Sequence, residues 1–475
     1  MEYGLISVLP PLLTISLALI LKNVYLALFL GILSSYIIID ASFFAAFNST
    51  LNSFIGSFSS SSNVIVMGCI LTLGALTVLF EKTGGIEGFV NLVIKKKGIV
   101  KSSKGASVFT FIIGCLVYTS GTLSTMVTGS VCRPINDSLR VSHEKAAYIV
   151  HTTSMPICLL FPLSGWAGVM LACLTSAGIP ENEATSVLIG SIPFNVYAII
   201  VVLMIPIMTL LGFDFGPMKK AELRARTTGY LDDPRHLHAQ ISTSLEDNAK
   251  IDSLDKTGKA SYLIVPLFTL IATMIVVLLI TGDGNIINGS GMQAILWGPH
   301  LALVVLGAMV ILDKRMTFGE YLDEMFRAAG SMVGISAMLM LTYALGTCIS
   351  SLGTGAYLAS LFSNILSPLF LPIIIFLLCC LMSFATGTST GTFTIMMLIA
   401  VPLAQSINAN LLLTIGSVWA GALFGDHLSP ISDTTIMSCA STGADIPDHI
   451  KTQLPYGLVA AVATIIIYFV LGLVL

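Results

Sequence analysis

From Ala328 to Gly425 the chain carries no Asp, Glu, Lys or Arg, and it then reads GDHLSPISDTT from Gly425 to Thr435. A run that long without charge cannot cover a water-facing surface. It suits a protein dissolved in lipid, where only helices or a closed barrel satisfy every backbone group. A carboxylate at membrane depth costs roughly 2.5–3.5 kcal/mol on insertion scales, so Asp426 and Asp433 require something that offsets them.

Composition agrees. Hydrophobic residues make up 55% of the sequence and charged ones 10%, against about 25% charged in an ordinary soluble domain. Apolar segments recur near 4–21, 24–39, 63–80, 105–117, 187–212, 260–281, 295–312, 331–350, 367–384, 393–407 and 456–475. At about 20 residues per crossing they predict roughly 10–13 membrane helices. Their continuity excludes the short alternating strands of an outer-membrane barrel. Met1-Glu2-Tyr3 lacks the basic start of a secretory signal, so the first segment is expected to be retained. The nine cysteines show no CxxC or Cys/His spacing and read as small buried residues.

Basic residues collect in a few loops. Lys95, Lys96, Lys97, Lys101 and Lys104 form one group, Lys219, Lys220, Arg224, Arg226 and Arg235 a second, and Lys314 with Arg315 a third. The positive-inside rule places these loops in the cytoplasm, and TGDGNIINGSGMQ from Thr281, which has no basic residue, outside. Followed back through Lys22, the rule puts the N-terminus outside. The localisation implied is a bacterial-type inner (plasma) membrane crossed many times.

Residues 213–259 form the one long polar stretch and cannot build a core. They read as a cytoplasmic linker, with His236 and His238 solvated, between a membrane repeat at 1–212 and a second at 260–475. The halves resemble each other. YTSGTLSTMVTG from Tyr118 follows the span that begins at 63, much as FATGTSTGTFT from Phe384 follows the span that begins at 331. Each half then carries a Ser/Pro element, at 152–165 and 425–435. The loop charges start one half outside and the other inside, so the expected fold is all-α with two inverted-topology repeats, re-entrant hairpins and broken helices. That arrangement is the best sequence pointer to a secondary transporter and its site.

The segment 385–392, ATGTSTGT, places glycines and hydroxyls inside an apolar run. Gly weakens a helix and Ser/Thr compete for its hydrogen bonds, so local unwinding is expected. Freed carbonyls and hydroxyls would be hard oxygen ligands for a small alkali cation; the alternative is close helix packing. The hairpin near 118–130 has the same chemistry in Ser120, Gly121, Thr122, Ser124 and Thr125. Gly425 and Pro430 are expected to interrupt a helix, and Asp426 and Asp433 then either complete a cation site or cap freed amides. His427 and His151 are candidate proton carriers or neutral donors. Arg133 reads as an ion pair with Asp137 or an anion contact, and Trp166 and Trp419 as packing or interfacial residues.

ATGTSTGTFTIMMLIAVPLA from Ala385 and GALFGDHLSPISDTTIMSCASTGADIPDHIKTQLPY from Gly421 resemble the two signature segments of the NhaC-type sodium/proton antiporter family. TGSVCRPINDSLRVSHEKAAYIVHTTSMPICLLFPLSGW resembles the matching first-half segment. The resemblance implies an ion-transporter-superfamily fold, elevator-type movement, and a homodimer as in relatives of this architecture. It implies cation binding at Thr386, Gly387, Thr388, Ser389, Asp426, Ser429, Asp433 and Thr434, with Na+ at Asp426, Thr388 and Ser389. Substrate contacts would come from Ser120, Gly121, Thr122, Ser124, Thr125, His151, Ser154, Pro156, Thr390, His427 and Pro430. No cofactor beyond Na+ as coupling ion and no nucleic-acid partner is implied.

The sequence departs from the family where Ser120-Gly121 and Ser124 replace an acidic pair and an asparagine, His427 an asparagine, and Thr390 a tryptophan. The resemblance implies a sodium-coupled secondary transporter working by Na+/H+ antiport; the loss of the first-hairpin acidic pair favours the alternative, Na+-coupled symport or exchange of a small organic solute, an amino acid or carboxylate. An enzyme would need a catalytic constellation that the sequence lacks, and a channel would need filter repeats or charged rings.

Overall fold

The computed structural model describes residues 3–475 apart from 22, 86–87, 90–99, 119–120, 163, 165, 234–257, 286–288, 355–356, 358–366 and 431. Lys22, Lys95, Lys96, Lys97, Ser120, Arg235, His236 and His238 therefore lie outside the described residues. The described chain is all-helical.

Its helices are α1 Leu9–Leu21, α2 Val24–Asp40, α3 Phe43–Gly56, α4 Ser61–Lys82, α5 Ser103–Leu116, α6 Gly121–Ser138, α7 His143–Leu160, α8 Trp166–Ser176, α9 Glu181–Ser191 and α10 Val196–Leu211. There follow α11 Gly216–Thr228, α12 Ser261–Thr281, α13 Gly291–Leu312, α14 Phe318–Gly330, α15 Val333–Ser351, α16 Leu371–Thr386, α17 Ser389–Ser406, α18 Leu411–Leu428, α19 Asp433–Thr442 and α20 Ile446–Val474. Among the described residues, 8 helices are long and apolar enough to cross a membrane, fewer than the 10–13 expected. The difference has a physical cause. Several apolar helices, such as Ser103–Leu116 and Trp166–Ser176, are too short to span, because Gly, Ser and Pro break them inside the molecule.

One succession of helices occurs twice. α5, α6, α7 and α8 have 14, 18, 18 and 11 residues, and α16, α17, α18 and α19 have 16, 18, 18 and 10. A short break separates the first two members of each set. A break containing Pro162 or Pro430 separates the last two.

Glycines set the close packing of α16 on α18. A Cβ on Gly421 would stand 2.3 Å from the Phe376 carbonyl oxygen, and one on Gly425 2.5 Å from that of Cys380. Ser383 Oγ donates to the Ala422 carbonyl across the same seam at 2.6 Å. Gly425 thus lies within the continuous helix α18 and does not interrupt it, contrary to the sequence reading. Its role is to let two backbones touch.

The described part of the segment after α10 forms a further helix. Pro217 at the start and Gly229 in the left-handed C-cap, with φ of +80°, delimit α11, which lies against α7 and α20. Lys145 Nζ is 2.8 Å from Asp214, Arg224 donates to both Glu144 oxygens at 2.8 and 2.9 Å, and buried Glu222 accepts from Ser142 N at 2.9 Å. Arg133 pairs with Asp137 one helical turn away at 3.8 Å.

Candidate functional site

α18 stops at Leu428 because Pro430 cannot continue a helix and forces the residue before it out of the helical region; Ser429 is extended, with φ −76° and ψ 127°. Asp426 therefore sits in the last turn of α18, beside carbonyl groups and the negative end of the helix dipole. The end of its own helix presents carbonyls, not free amides. The carboxylate instead accepts from two hydroxyls, Ser432 Oγ to Oδ1 at 2.8 Å and Thr434 Oγ1 to Oδ2 at 3.3 Å, and it is 1% exposed. Asp433 opens α19, where a negative side chain suits the dipole, and its Oδ1 accepts from Thr434 N at 2.9 Å.

The second broken helix approaches from α16. Only Gly387 and Thr388 leave the helix: Gly387 is left-handed at φ +68°, and Thr388 is extended with its Oγ1 accepting from Gly391 N. The unwinding is shorter than the expected 385–392, because Thr386, Thr392 and Thr394 bond back to carbonyls of their own helices. Their hydroxyls are thereby used locally.

Thr388, Ser389, Thr390, Asp426, Asp433, Thr434 and Gly121 all line one cavity of about 550 Å³. A single ion needs no more than the share of one water molecule, about 30 Å³, whereas small-molecule sites run from roughly 300 to 1,000 Å³. The remaining wall comes from the start of α2, from α4, α8 and α15, and from Met126 on α6 and Met155 on α7, and it includes Glu81 and Trp166.

Behind Asp426 lies a buried polar layer that joins the two halves. His151 on α7 places Nε2 3.1 Å from Thr434 Oγ1 and Nδ1 3.2 Å from His449 Nε2. His427 sets Nε2 3.0 Å from Thr152 Oγ1 and Nδ1 2.9 Å from the Tyr197 hydroxyl, while Gln453 donates to its carbonyl. His151 and His427 are edge to face at 4.5 Å between ring centres. Burial explains this density of partners, since an unpaired buried polar group is costly.

With this geometry in view, the profile of the Na+/H+ antiporter family matches residues 167–473. The chain belongs to the Na+/H+ antiporter family. It is a multi-pass membrane protein and, at the level of that family, a Na+/H+ antiporter or transporter. A Haemophilus influenzae protein described as uncharacterized is 28% identical, across 98% of this chain and 90% of its own length. The Na+/H+ antiporter NhaC of Alkalihalophilus pseudofirmus is 29% identical over 37% of this chain and 38% of its own, and the arginine/ornithine antiporter ArcD of Halobacterium salinarum 27% identical over 38% and 36%. These two antiporters are thus matched over less than half of their length. Among solved structures, Neisseria gonorrhoeae MtrF superposes with a TM-score of 0.57 at 14% identity, covering 90% of this chain and 84% of that one. This likeness concerns the fold.

Of the residues singled out from this family's signature, those named above on the cavity come together. The others are arranged around it. Gly387 supplies the turn; Ser429 Oγ donates to the Phe384 carbonyl at 2.8 Å; Pro430 is exposed at the break. Ser124, Thr125, Ser154 and Pro156 are buried in α6 and α7, with Ser154 Oγ on the His151 carbonyl at 2.9 Å. Thr122 lies in α6. His151 and His427 stand behind the carboxylate, not in the cavity wall. Trp419 packs against Phe393 and donates to Ser191 Oγ at 3.2 Å, whereas Trp166 lines the cavity. Sequence reasoning missed Ser432, Thr152, Tyr197, His449, Gln453 and Glu81. Ser432 and His449 stood inside the signature stretch; Glu81 gave no local signal.

Proposed function

We propose that this protein is a Na+-coupled secondary transporter whose second species is a small organic solute. The reading is carried by the cavity of about 550 Å³ between the two broken-helix elements, which is far larger than an ion. Asp426, Thr388 and Ser389 would hold Na+, assisted by Asp433 and Thr434: a carboxylate with hydroxyls is the hard oxygen set a small cation accepts. The negative end of α18 adds to the attraction.

The doubled helix succession supports two repeats, 1–212 and 260–475, of inverted topology, joined by the cytoplasmic segment 213–259, with the N-terminus outside in an inner membrane. An elevator movement of the site past the remaining helices, within a homodimer, is the corresponding transport cycle. Two broken helices meeting at one cavity fit that scheme.

The test is Na+-dependent thermal stabilisation of the purified chain, followed by uptake of ²²Na+ into proteoliposomes. Wild type responds, and Asp426→Asn loses the response while still folding, because the amide keeps an acceptor for Ser432. Unchanged Na+ dependence in that variant sinks the site assignment.

Na+/H+ antiport alone is the second reading, favoured by the NhaC relative and by the polar layer that reaches from Asp426 through Thr434 to His151. Imposed Na+ gradients that move protons with no solute present would select it.

A further inference from the structure

The cavity constrains the charge of its occupant as well as its size. Building on the proposal that a solute shares this cavity with Na+, we infer that the solute is an organic cation, an ammonium head on an apolar body, and that it exchanges with Na+.

The charged side chains on the cavity are Glu81, Asp426 and Asp433; among the described lining residues there is no Lys, Arg or His. A solute carboxylate would meet three groups of its own sign and, among the described residues, no cationic side chain. A zwitterion would carry that same carboxylate into the wall. An ammonium group has the opposite fit, since opposite charges within a few ångströms favour the charged form of each.

The two aspartates are not equivalent. Asp426 is 1% exposed, and both of its oxygens accept hydroxyl hydrogen bonds. Asp433 retains exposed surface although it stands in the cavity wall, and its Oδ1 takes only the amide of the next residue. Asp433 is therefore the carboxylate presented to a solute. Glu81, exposed in the last turn of α4, is the second.

The rest of the wall suits an apolar body. Met155 and Met338 offer flexible, polarisable surface that adapts to shape, and Trp166 adds an aromatic ring of the type that attracts cations. Na+ and an ammonium group both call on Asp433. Two cations that compete for one carboxylate exchange; they do not travel together.

Three probes share a phenethyl body and differ in charge: phenethylamine, phenylalanine and 3-phenylpropionate. Thermal stability of the full chain in detergent is titrated with each, with and without Na+. Phenethylamine is expected to raise the midpoint, with added Na+ moving its titration to higher concentration. The zwitterion and the anion are expected to leave the midpoint unchanged. Asp433→Asn should weaken the amine titration by about tenfold or more, as for loss of a charge-assisted hydrogen bond. Glu81→Gln supplies the second carboxylate variant should the first not fold.

A Na+ response without an amine response overturns the cation assignment and leaves Na+-coupled transport standing. So does stabilisation by phenylalanine or 3-phenylpropionate, or an amine titration unmoved in the variants that fold. No response to Na+ or to any probe removes the underlying transport reading as well.

Discussion

At the scale of single residues, the stretch GALFGDHLSPISDTT serves packing and chemistry on alternate positions. Gly421 and Gly425 bring α18 onto α16, and Asp426, next in the chain, is held at the end of that seam. Gly425→Ala places a methyl 2.5 Å from the Cys380 carbonyl oxygen and equally close to Phe384 N. Neither is a flexible side-chain end. Overpacking of this kind costs about 1–3 kcal/mol, and α18 shifts away from α16, carrying Asp426 with it. The expected outcome is a lower melting midpoint together with a weakened Na+ response, read in the same thermal assay. A lowered midpoint with the Na+ response intact would separate the packing seam from the site. In the sequence, Gly425 looked like a helix breaker, because composition alone does not distinguish a glycine that ends a helix from one that admits a neighbouring backbone. The partner backbone that decides it lies about forty residues away in the chain.

At the scale of elements, the breaks were legible and the walls were not. Pro430 and Gly387 act on their own neighbours, so the ends of α18 and α16 could be read locally, although back-bonding by Thr386 and Thr392 shortened the second break. Glu81, Trp166 and Met338 reach the cavity from helices distant in sequence, and an apolar span looks the same whether it faces lipid or a solute. The docking of α11 was equally hidden, because a charged helix with few aliphatics reads as solvated. At the start of α7, outside the apolar spans, His143 sits between Asp232 at 2.8 Å and Asp137 at 3.1 Å. Burial alone would lower its pKa, but the hydrogen bonds that it donates to Asp137 and Asp232 outweigh burial and raise the value to about 9. A raised folded-state pKa contributes stability that is fully present below the unfolded value of about 6.5 and is lost as pH climbs through about 9. Hydrogen exchange at 216–232 should therefore accelerate relative to the core between pH 8 and 10, after correction for intrinsic rates. His143→Gln should show the fast exchange already at pH 7.

At the scale of the whole molecule, transport requires that the carboxylates face one side of the membrane and then the other. The cavity has walls of two kinds. α17, α18 and α19 carry the hydroxyls and both aspartates, with α18 packed on α17 and α19, whereas the start of α2, with α4 and α15, supplies apolar surface and Glu81. Movement of the first group past the second would carry the ion site across without dismantling it, and it would break the contact between α2 and α17. There a Cβ at Gly391 would lie 2.6 Å from Val24 Cγ2, so cysteines at both positions fall within reach of a disulfide. The native cysteines among the described residues are all free, and most are buried, so wild type treated with oxidant is the control. Val24→Cys with Gly391→Cys, once oxidised, should stop ²²Na+ uptake while Na+-dependent thermal stabilisation persists, and reductant should restore uptake. Loss of both signals would mean that the cross-link distorts the site itself. Continued uptake by fully cross-linked protein would show that α2 and α17 travel together, and the boundary between moving and fixed helices would have to lie elsewhere.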